Sequence, residues 1–417
     1  MKMVKGLALS AAASSLVLAG GYKLPENSIN STALSAAYVA HTMGADTAYF
    51  NPANMAFMED KHYVEGALTL VRLPSNEYML IDPYSGESNN ENILVPSGHY
   101  VSKAMGDFRW GVSLVAPGGL TKQWETPIQK LFAEEFTLKI IELNPSFSYK
   151  VNDQFAIGGG VRAIYSEGVV KSDGAEASTI PGFEGYNLKR VMEGDTVEFG
   201  YNLALAYRPA SDINVAVTYR SKVDLREQGT AQLYYSGALV YDGDSCVSVP
   251  LPAALNVAIS KTWDEKFTLE FNYERTYWSA YEDLDFNYAA ALPSPELTYF
   301  FDAPKAKNWK DTNTFRVGAT MELNEKLTAM MGFAIDKSPA PLETLGFELP
   351  DSDAKIFSMG FRVKQSEQLS WGASFLYDSK ESISMPAGIS DNPILANGGS
   401  FHEGGAFLTT VGIAYEY

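Results

Sequence analysis

The run Phe155-Ala156-Ile157-Gly158-Gly159-Gly160-Val161-Arg162-Ala163-Ile164-Tyr165 reads at a period of two. Its odd positions are mostly apolar, and its even positions carry Ala156, Gly158, Gly160, Arg162 and Ile164. Successive side chains of a strand point to opposite faces, so this segment has one greasy face and one small or charged face. The alternation recurs. Phe267, Leu269, Phe271 and Tyr273 alternate with Thr268, Glu270, Asn272 and Glu274, and Phe315, Val317 and Met321 with Arg316, Gly318 and Glu322. Phe357, Met359 and Phe361 do the same with Ser358, Gly360 and Arg362. The polar set mixes glycines with both charges, setting Arg109, Arg162, Arg220, Arg316 and Arg362 against Glu142, Glu198, Glu270, Glu274 and Glu322. Small residues beside opposite charges suit a crowded polar lumen facing away from lipid. A soluble two-layer sandwich is the competing architecture, since its solvent face could carry any polar residue.

The connections favour the closed cylinder. Short polar turns such as Val151-Asn152-Asp153-Gln154, Ala210-Ser211-Asp212, Asp264-Glu265-Lys266, Asn324-Glu325-Lys326 and Ser366-Glu367-Gln368 are followed at once by a new apolar residue. The others are long and rich in Gly, Pro and aromatics. Short turns at one end and long loops at the other are expected of an outer-membrane barrel. The pattern predicts strands near 61–73, 95–104, 107–117, 137–151, 154–167, 193–209, 212–227, 251–262, 266–279, 310–323, 326–337, 353–364, 368–379 and 403–417. That is an all-β, 14-stranded antiparallel transmembrane β-barrel, with six short turns and seven long loops. Each segment reaches the about 9–11 residues that a tilted spanning strand needs. Val411, Ile413, Tyr415 and Tyr417 end the chain in phase with the lipid face.

Composition excludes several functions. The 417 residues carry a formal charge of −18, which opposes nucleic-acid binding. A single cysteine, Cys246, allows no internal disulfide, and His41, His62, His99 and His402 show no metal-ligand spacing. No nucleophile elbow, phosphate loop or dinucleotide fingerprint falls in a strand–helix context, so no enzyme, cofactor or metal is expected. Residues 1–19 read as an export signal: Lys2 and Lys5, an apolar run from Leu7 to Leu18, and a small-residue cleavage site at Ala19. Residues 20–60 do not alternate and are small and polar. Their expected role is an N-terminal hatch plugging a lumen too wide for the wall's own side chains, with a periplasmic tail as the alternative. Residues 61–417 form the barrel.

Several short motifs occur in order along the mature chain. They are Gly20-Gly21-Tyr22-Lys23-Leu24-Pro25-Glu26-Asn27-Ser28, Tyr49-Phe50-Asn51-Pro52-Ala53, Leu143-Asn144-Pro145, Tyr219-Arg220-Ser221-Lys222-Val223, Leu251-Pro252-Ala253, Trp278-Ser279, Asn308-Trp309-Lys310-Asp311-Thr312 and Leu349-Pro350-Asp351-Ser352-Asp353. Together they resemble the FadL family, outer-membrane transporters of long-chain fatty acids and, in some branches, of monoaromatic hydrocarbons. The resemblance implies the same barrel, with Asn51, Pro52 and Ala53 as the hatch motif. It also implies passive uptake: capture by extracellular loops, a buried apolar pocket near Tyr22 and Leu24, and lateral release through the wall at a kink in the third strand.

That kink falls at Ala116-Pro117-Gly118-Gly119, where proline offers no ladder donor and glycine leaves a hole. A strand simply ending in its loop reads the same way. Capture would involve Ile180, Phe183, Tyr186, Leu188 and Val191 of the third long loop, and Tyr234, Tyr235, Leu239 and Val240 of the fourth. Lys189 and Arg190 in the loops, and Arg109 and Arg316 in the lumen, are the candidates for a carboxylate head group. Fatty acids are the expected substrate, with aromatic hydrocarbons or other apolar solutes as the alternative, and a surface adhesin or structural barrel as a reading of another class. The expected setting is the outer membrane of a Gram-negative bacterium, as a monomer inserted by the barrel-assembly machinery.

Overall fold

The computed structural model describes residues 20–417; the expected export signal lies outside them. Seven segments form the first half of the wall: β1 (Tyr63–Leu73), β2 (Glu91–Val101), β3 (Phe108–Val115), β4 (Gly119–Gln123), β5 (Glu135–Lys150), β6 (Phe155–Asp173) and β7 (Leu188–Ala210). The second half begins with β8 (Ile213–Arg220), β9 (Val223–Tyr235), β10 (Ala238–Leu251), β11 (Ala254–Trp263) and β12 (Phe267–Thr276). It ends with β13 (Thr312–Asn324), β14 (Leu327–Asp336), β15 (Ala354–Lys364), β16 (Leu369–Lys380) and β17 (Ala406–Glu416). β3 and β4 are two pieces of one wall strand, as are β8 with β9 and β10 with β11, so the wall has fourteen strands. Tyr63 to Arg72 of β1 pair antiparallel with Glu416 to Phe407 of β17, and the sheet closes on itself.

The alternating sets take opposite sides of this cylinder. Phe271, Phe315 and Phe361 are 44, 47 and 37 % exposed on the outer surface, which no buried layer of a sandwich would allow. Trp371, Trp263, Tyr207, Tyr149 and Trp110 stand exposed near the short-turn end, as an interfacial aromatic girdle does. No helix among the described residues is long and apolar enough to cross a membrane; the strands do so. On the inner side the expected charge pairing holds in part. Glu142 receives Arg162 at 2.9 Å and Arg220, Glu274 receives Arg316 at 3.4 Å, and Glu65 receives Arg362 at 2.5 Å. Glu270 instead accepts the backbone N–H groups of Val39, Ala40 and His41 at 2.6, 3.0 and 2.7 Å.

Two expected boundaries are corrected. The fourth long loop is not a loop: β9 and β10 run on as a hairpin, joined by the tight turn Ser236-Gly237 with both residues at positive φ. Sequence alternation stopped short there because the strands leave the apolar region and carry polar residues on their outer face. The third long loop likewise shrinks to residues 174–187, since β6 and β7 pair as far as Asp173 and Lys189.

At each break in a wall strand the alternation changes phase. In β8, Val215, Val217 and Tyr219 pair with the outward-facing Tyr207, Leu205 and Leu203. Past Ser221-Lys222, the odd residues Val223 and Leu225 are 4 and 0 % exposed inside the lumen. The break at Pro252-Ala253 does the same to Val249 and Leu251. An apolar set that faces lipid below these breaks faces the lumen above them, and the upper lumen is therefore greasy.

Candidate functional site

Residues 20–60 are almost wholly buried and touch wall strands all the way round. Helix α1 (Ile29–Ala33) is capped by Ser28, and its Thr32 and Ala33 meet Thr410 of β17 and Ser358 of β15 through hydrogen bonds of 3.1 and 2.8 Å. Helix α2 (Thr47–Phe50) leads into the motif at Asn51. Asn51 Oδ1 accepts the Ala53 N–H at 3.1 Å, and its Nδ2 donates to the Val39 carbonyl at 2.9 Å, so one side chain ties two turns together. Gly158, on the inner face of β6, packs flat on Pro52 and Ala53. A Cβ there would stand 2.6 Å from Ala53 N. The glycine face is thus shaped to the segment it covers.

Tyr22 sits where that segment crosses the lumen. Its ring meets Trp278, Trp309 and Tyr281 at centroid distances of 4.9, 5.7 and 6.1 Å, and its hydroxyl donates to the Pro250 carbonyl at 2.5 Å. Gly21 has φ +78° and lies against both tryptophans, where a Cβ would come within 2.7 Å. On the opposite side, Leu24 N–H donates to the Pro117 carbonyl and Gly119 N–H to the Tyr22 carbonyl, both at 2.9 Å. Residues 22–24 therefore span the barrel from the broken strand β3–β4 to the break above β11.

Above this partition lies an apolar pocket lined by Tyr22, Leu120, Leu138, Val170, Val249 and Phe286, among others. It continues outward into a groove that shares Phe136, Leu284, Phe286, Lys307 and Glu348 with it and adds Phe132, Phe300, Phe301 and Arg190. Arg190 stacks on Phe286 and Phe301 at 4.4 and 4.9 Å. Lys307 and Glu348 form an ion pair at the junction of pocket and groove. Burial by itself would raise the Glu348 carboxyl, but Lys307 beside it holds it below the usual carboxylate range. Below the partition, a polar cavity is lined by Lys23, Arg162, Arg220, Glu274 and Arg316, with Pro117 and Leu251 at its upper edge.

The sequence-derived candidates divide sharply. Tyr22 lines the upper pocket, and Leu24 and Arg316 line the lower cavity. Arg190 lines the groove, whereas Lys189 points outward to Asp173 at 3.0 Å. Arg109 lies at the periplasmic end, donating to the Glu59 carbonyl at 2.9 Å, and lines no cavity described. Ile180, Phe183 and Tyr186 pack in the core of the extracellular cap with Trp124 and Phe347. Leu188 is buried against Leu233, Leu297 and Phe301. Val191 and Tyr234 are half-exposed on outward positions of β7 and β9, Tyr235 and Val240 pack at the edge of the Leu188 cluster, and Leu239 is exposed. None of these nine lines the pocket or the groove, because strand pairing carries them away from the lumen or the cap consumes them. The groove is built instead by helix α3 (Pro127–Ala133) and by the loops around 295–307 and 342–348, whose Phe300, Phe301, Lys307 and Glu348 carried no periodic signal.

At Ala116, Pro117 and Gly118 the wall strand is interrupted between β3 and β4, and β2 loses its ladder partner at the same height. The interruption is not a strand ending in its loop, since β4 resumes pairing with β5 beyond it.

A family model described as outer membrane protein transport protein (OMPP1/FadL/TodX) matches residues 10–416. The long-chain fatty acid transport protein of Escherichia coli strain K12 is 23 % identical over 371 residues, covering 78 % of this chain and 79 % of its own. Outer membrane protein P1 of Haemophilus influenzae is 21 % identical over 373 residues, with the same 78 and 79 % coverage. The crystal structure of a Pseudomonas aeruginosa FadL homologue is similar with TM-score 0.81 at 18 % identity, covering 95 % of this chain and 99 % of that one. The Ralstonia pickettii toluene transporter TbuX gives 0.71 at 18 %, covering 94 and 98 %. At such identities the structures speak for the fold.

Proposed function

Because the chain belongs to the OMPP1/FadL/TodX family of outer-membrane transport proteins, we propose that it takes up hydrophobic molecules, with long-chain fatty acids as the substrate class. The observation that carries this reading is the continuous apolar route from the surface groove past Phe286 to the pocket closed by Tyr22. Burial of an acyl chain along it gains about 25 cal/mol for each Å² removed from water, enough for concentration without chemistry. Lys307, at the junction, is the head-group contact: a ligand carboxylate displaces Glu348 from it, and Arg190 assists from the groove. Residues 20–60 act as the hatch. Displacement of residues 22–24 opens the pocket, and the ligand leaves sideways through the interruption at residues 116–118. Processing after Ala19 and insertion as a monomer by the barrel-assembly machinery complete the proposal.

A second reading, an aromatic hydrocarbon as substrate, is favoured by the Tyr22, Trp278 and Trp309 box, which offers ring faces and no charge. Titrating the purified protein with decanoate and with toluene separates the two. Decanoate binding that Lys307→Gln weakens about tenfold, with toluene weaker and unaffected, supports the fatty-acid reading. Tight toluene binding with decanoate indifferent to Lys307 supports the other.

A further inference from the structure

Three glycines stand in one row on the inner face of the wall: Gly168 of β6 pairs with Gly194 of β7, and Gly194 with Gly229 of β9. A glycine inside a strand weakens it and marks a place where another group approaches the backbone closely. That group is the side chain of Glu227 in β9, which lies along this trough, so that a Cβ on Gly168 would collide with its Oε2. Glu227 is 2 % exposed. Its Oε1 accepts the Ser166 hydroxyl, but among the described residues its Oε2 has no hydrogen-bond partner. The charged groups that act on it, Glu167 and Asp195, are carboxylates themselves and offer no compensation. A buried polar atom left without a partner costs stability, and the wall gains nothing from it. Glu227 and Gly168 both line the apolar pocket that Tyr22 closes. Of the two carboxylates in that lining, Glu348 is neutralised by Lys307, and Glu227 keeps a free oxygen. Glu227 pairs with Val247 and Val247 with Phe286, which places it two strand spacings, about 10 Å, from the point where the groove joins the pocket.

We propose that Glu227 determines specificity: its free oxygen receives a hydroxyl carried on an otherwise apolar ligand, so the pocket prefers hydroxylated hydrophobic molecules to their unsubstituted parents. A hydroxyl both donates and accepts, and it satisfies Oε2 whether the carboxyl is ionised or protonated. An amine is the poorer match, because it would have to pass Arg190 in the groove and Lys307 at the junction. A buried group that one ligand satisfies and its analogue leaves unpaired discriminates strongly between the two. The inference rests on the reading that this pocket holds the transported molecule, and not on whether its skeleton is an acyl chain or an aromatic ring.

The test titrates the full mature chain in detergent with two matched series. One sets decanoate against decanoates hydroxylated at mid-chain or at the terminal carbon, and the other sets toluene against p-cresol. In the series whose skeleton fits, a hydroxylated member is expected to bind at least as tightly as its parent compound. Glu227→Leu is expected to lower that affinity ratio about tenfold, and Glu227→Gln, which keeps a donor and an acceptor, to retain most of it. A purely structural Glu227 would shift both members of a series together and leave the ratio alone. Heat-modifiable migration reports folding. Gly168→Ala, whose methyl group pushes Oε2 out of the trough, carries the test if Glu227→Leu does not fold, and is expected to lower the same ratio. Binding with a ratio that neither Glu227→Leu nor Gly168→Ala changes overturns the inference alone, as does a preference for the unsubstituted parent in both series. Absence of binding in both series rejects the uptake reading, and this inference falls with it.

Discussion

At the residue scale, burial decides which charges matter. Arg162 is 2 % exposed and Glu142 fully buried, with Arg220 as the second partner of the carboxylate and Tyr49 stacked 4.1 Å from the Arg220 guanidinium. Removing one member of a buried pair leaves an uncompensated charge, which costs about 3–5 kcal/mol. Glu142→Leu, which strands both arginines, is therefore expected to lower the stability of the folded barrel by about that amount in urea-titrated vesicles, and a change under about 1 kcal/mol would sink the assignment. Lys307 is the second case, since the proposed head-group contact requires a ligand carboxylate to take the place of Glu348 beside it. Lys307→Gln is expected to lower the melting temperature, because it leaves the buried Glu348 without its cation, and the double variant Lys307→Gln/Glu348→Gln to recover much of that loss while still binding decanoate about tenfold more weakly in a titration. Neither residue could be ranked from its one-letter neighbours. Arg162 was legible as a lumen arginine, but its pairing with Glu142 joins neighbouring strands β5 and β6 at a register fixed only in the sheet.

At the element scale, glycine placement and strand breaks carry the information. Gly118 sits where a Cβ would stand 2.4 Å from the Tyr22 carbonyl, so only glycine lets residues 22–24 lie along the broken strand. Gly118→Val is expected to unseat the partition without unfolding the wall, read as faster hydrogen exchange at Leu24 and Gly119 against unchanged exchange in β14 and β15. Exchange unaltered at Leu24 would contradict that geometry. Gly158, one of the three consecutive glycines at 158–160, is the seat of Pro52 and Ala53. The hairpin β9–β10 escaped detection because its outward face carries Asp224, Arg226, Gln228 and Asp242, which no lipid-facing pattern could include. The phase changes at 221–222 and 252–253 escaped for a related reason. The odd-numbered apolar run from Val215 to Leu225 is broken only at Ser221, and nothing in it marks which side of the sheet each half occupies.

For the whole molecule, the wall and its filling are separable in principle, since the ladder from β1 round to β17 closes without help from residues 20–60. Deleting residues 20–60 is expected to yield a folded, heat-modifiable barrel that conducts ions stepwise in planar bilayers, where the intact protein stays closed. A deletion variant as silent as the parent would show that the extracellular cap, not the N-terminal segment, seals the lumen. The cap is the plausible rival, because Trp124, Phe347, Tyr78 and Phe401 give it an aromatic core of its own.

The sequence by itself determined that strands alternate, that fourteen of them close a wall with lipid outside and charge within, and that a non-alternating segment precedes them. Period-two patterning is a local property of neighbouring residues, so it survives in one dimension. Only the tertiary structure decided where that segment lies, that Tyr22 meets Trp278 and Trp309, and that the groove is made by Phe300, Phe301 and Lys307 rather than by the aromatics around residues 180 and 234. Those contacts join residues far apart in the chain through the shear and breaks of a closed sheet, and no short stretch of sequence encodes them.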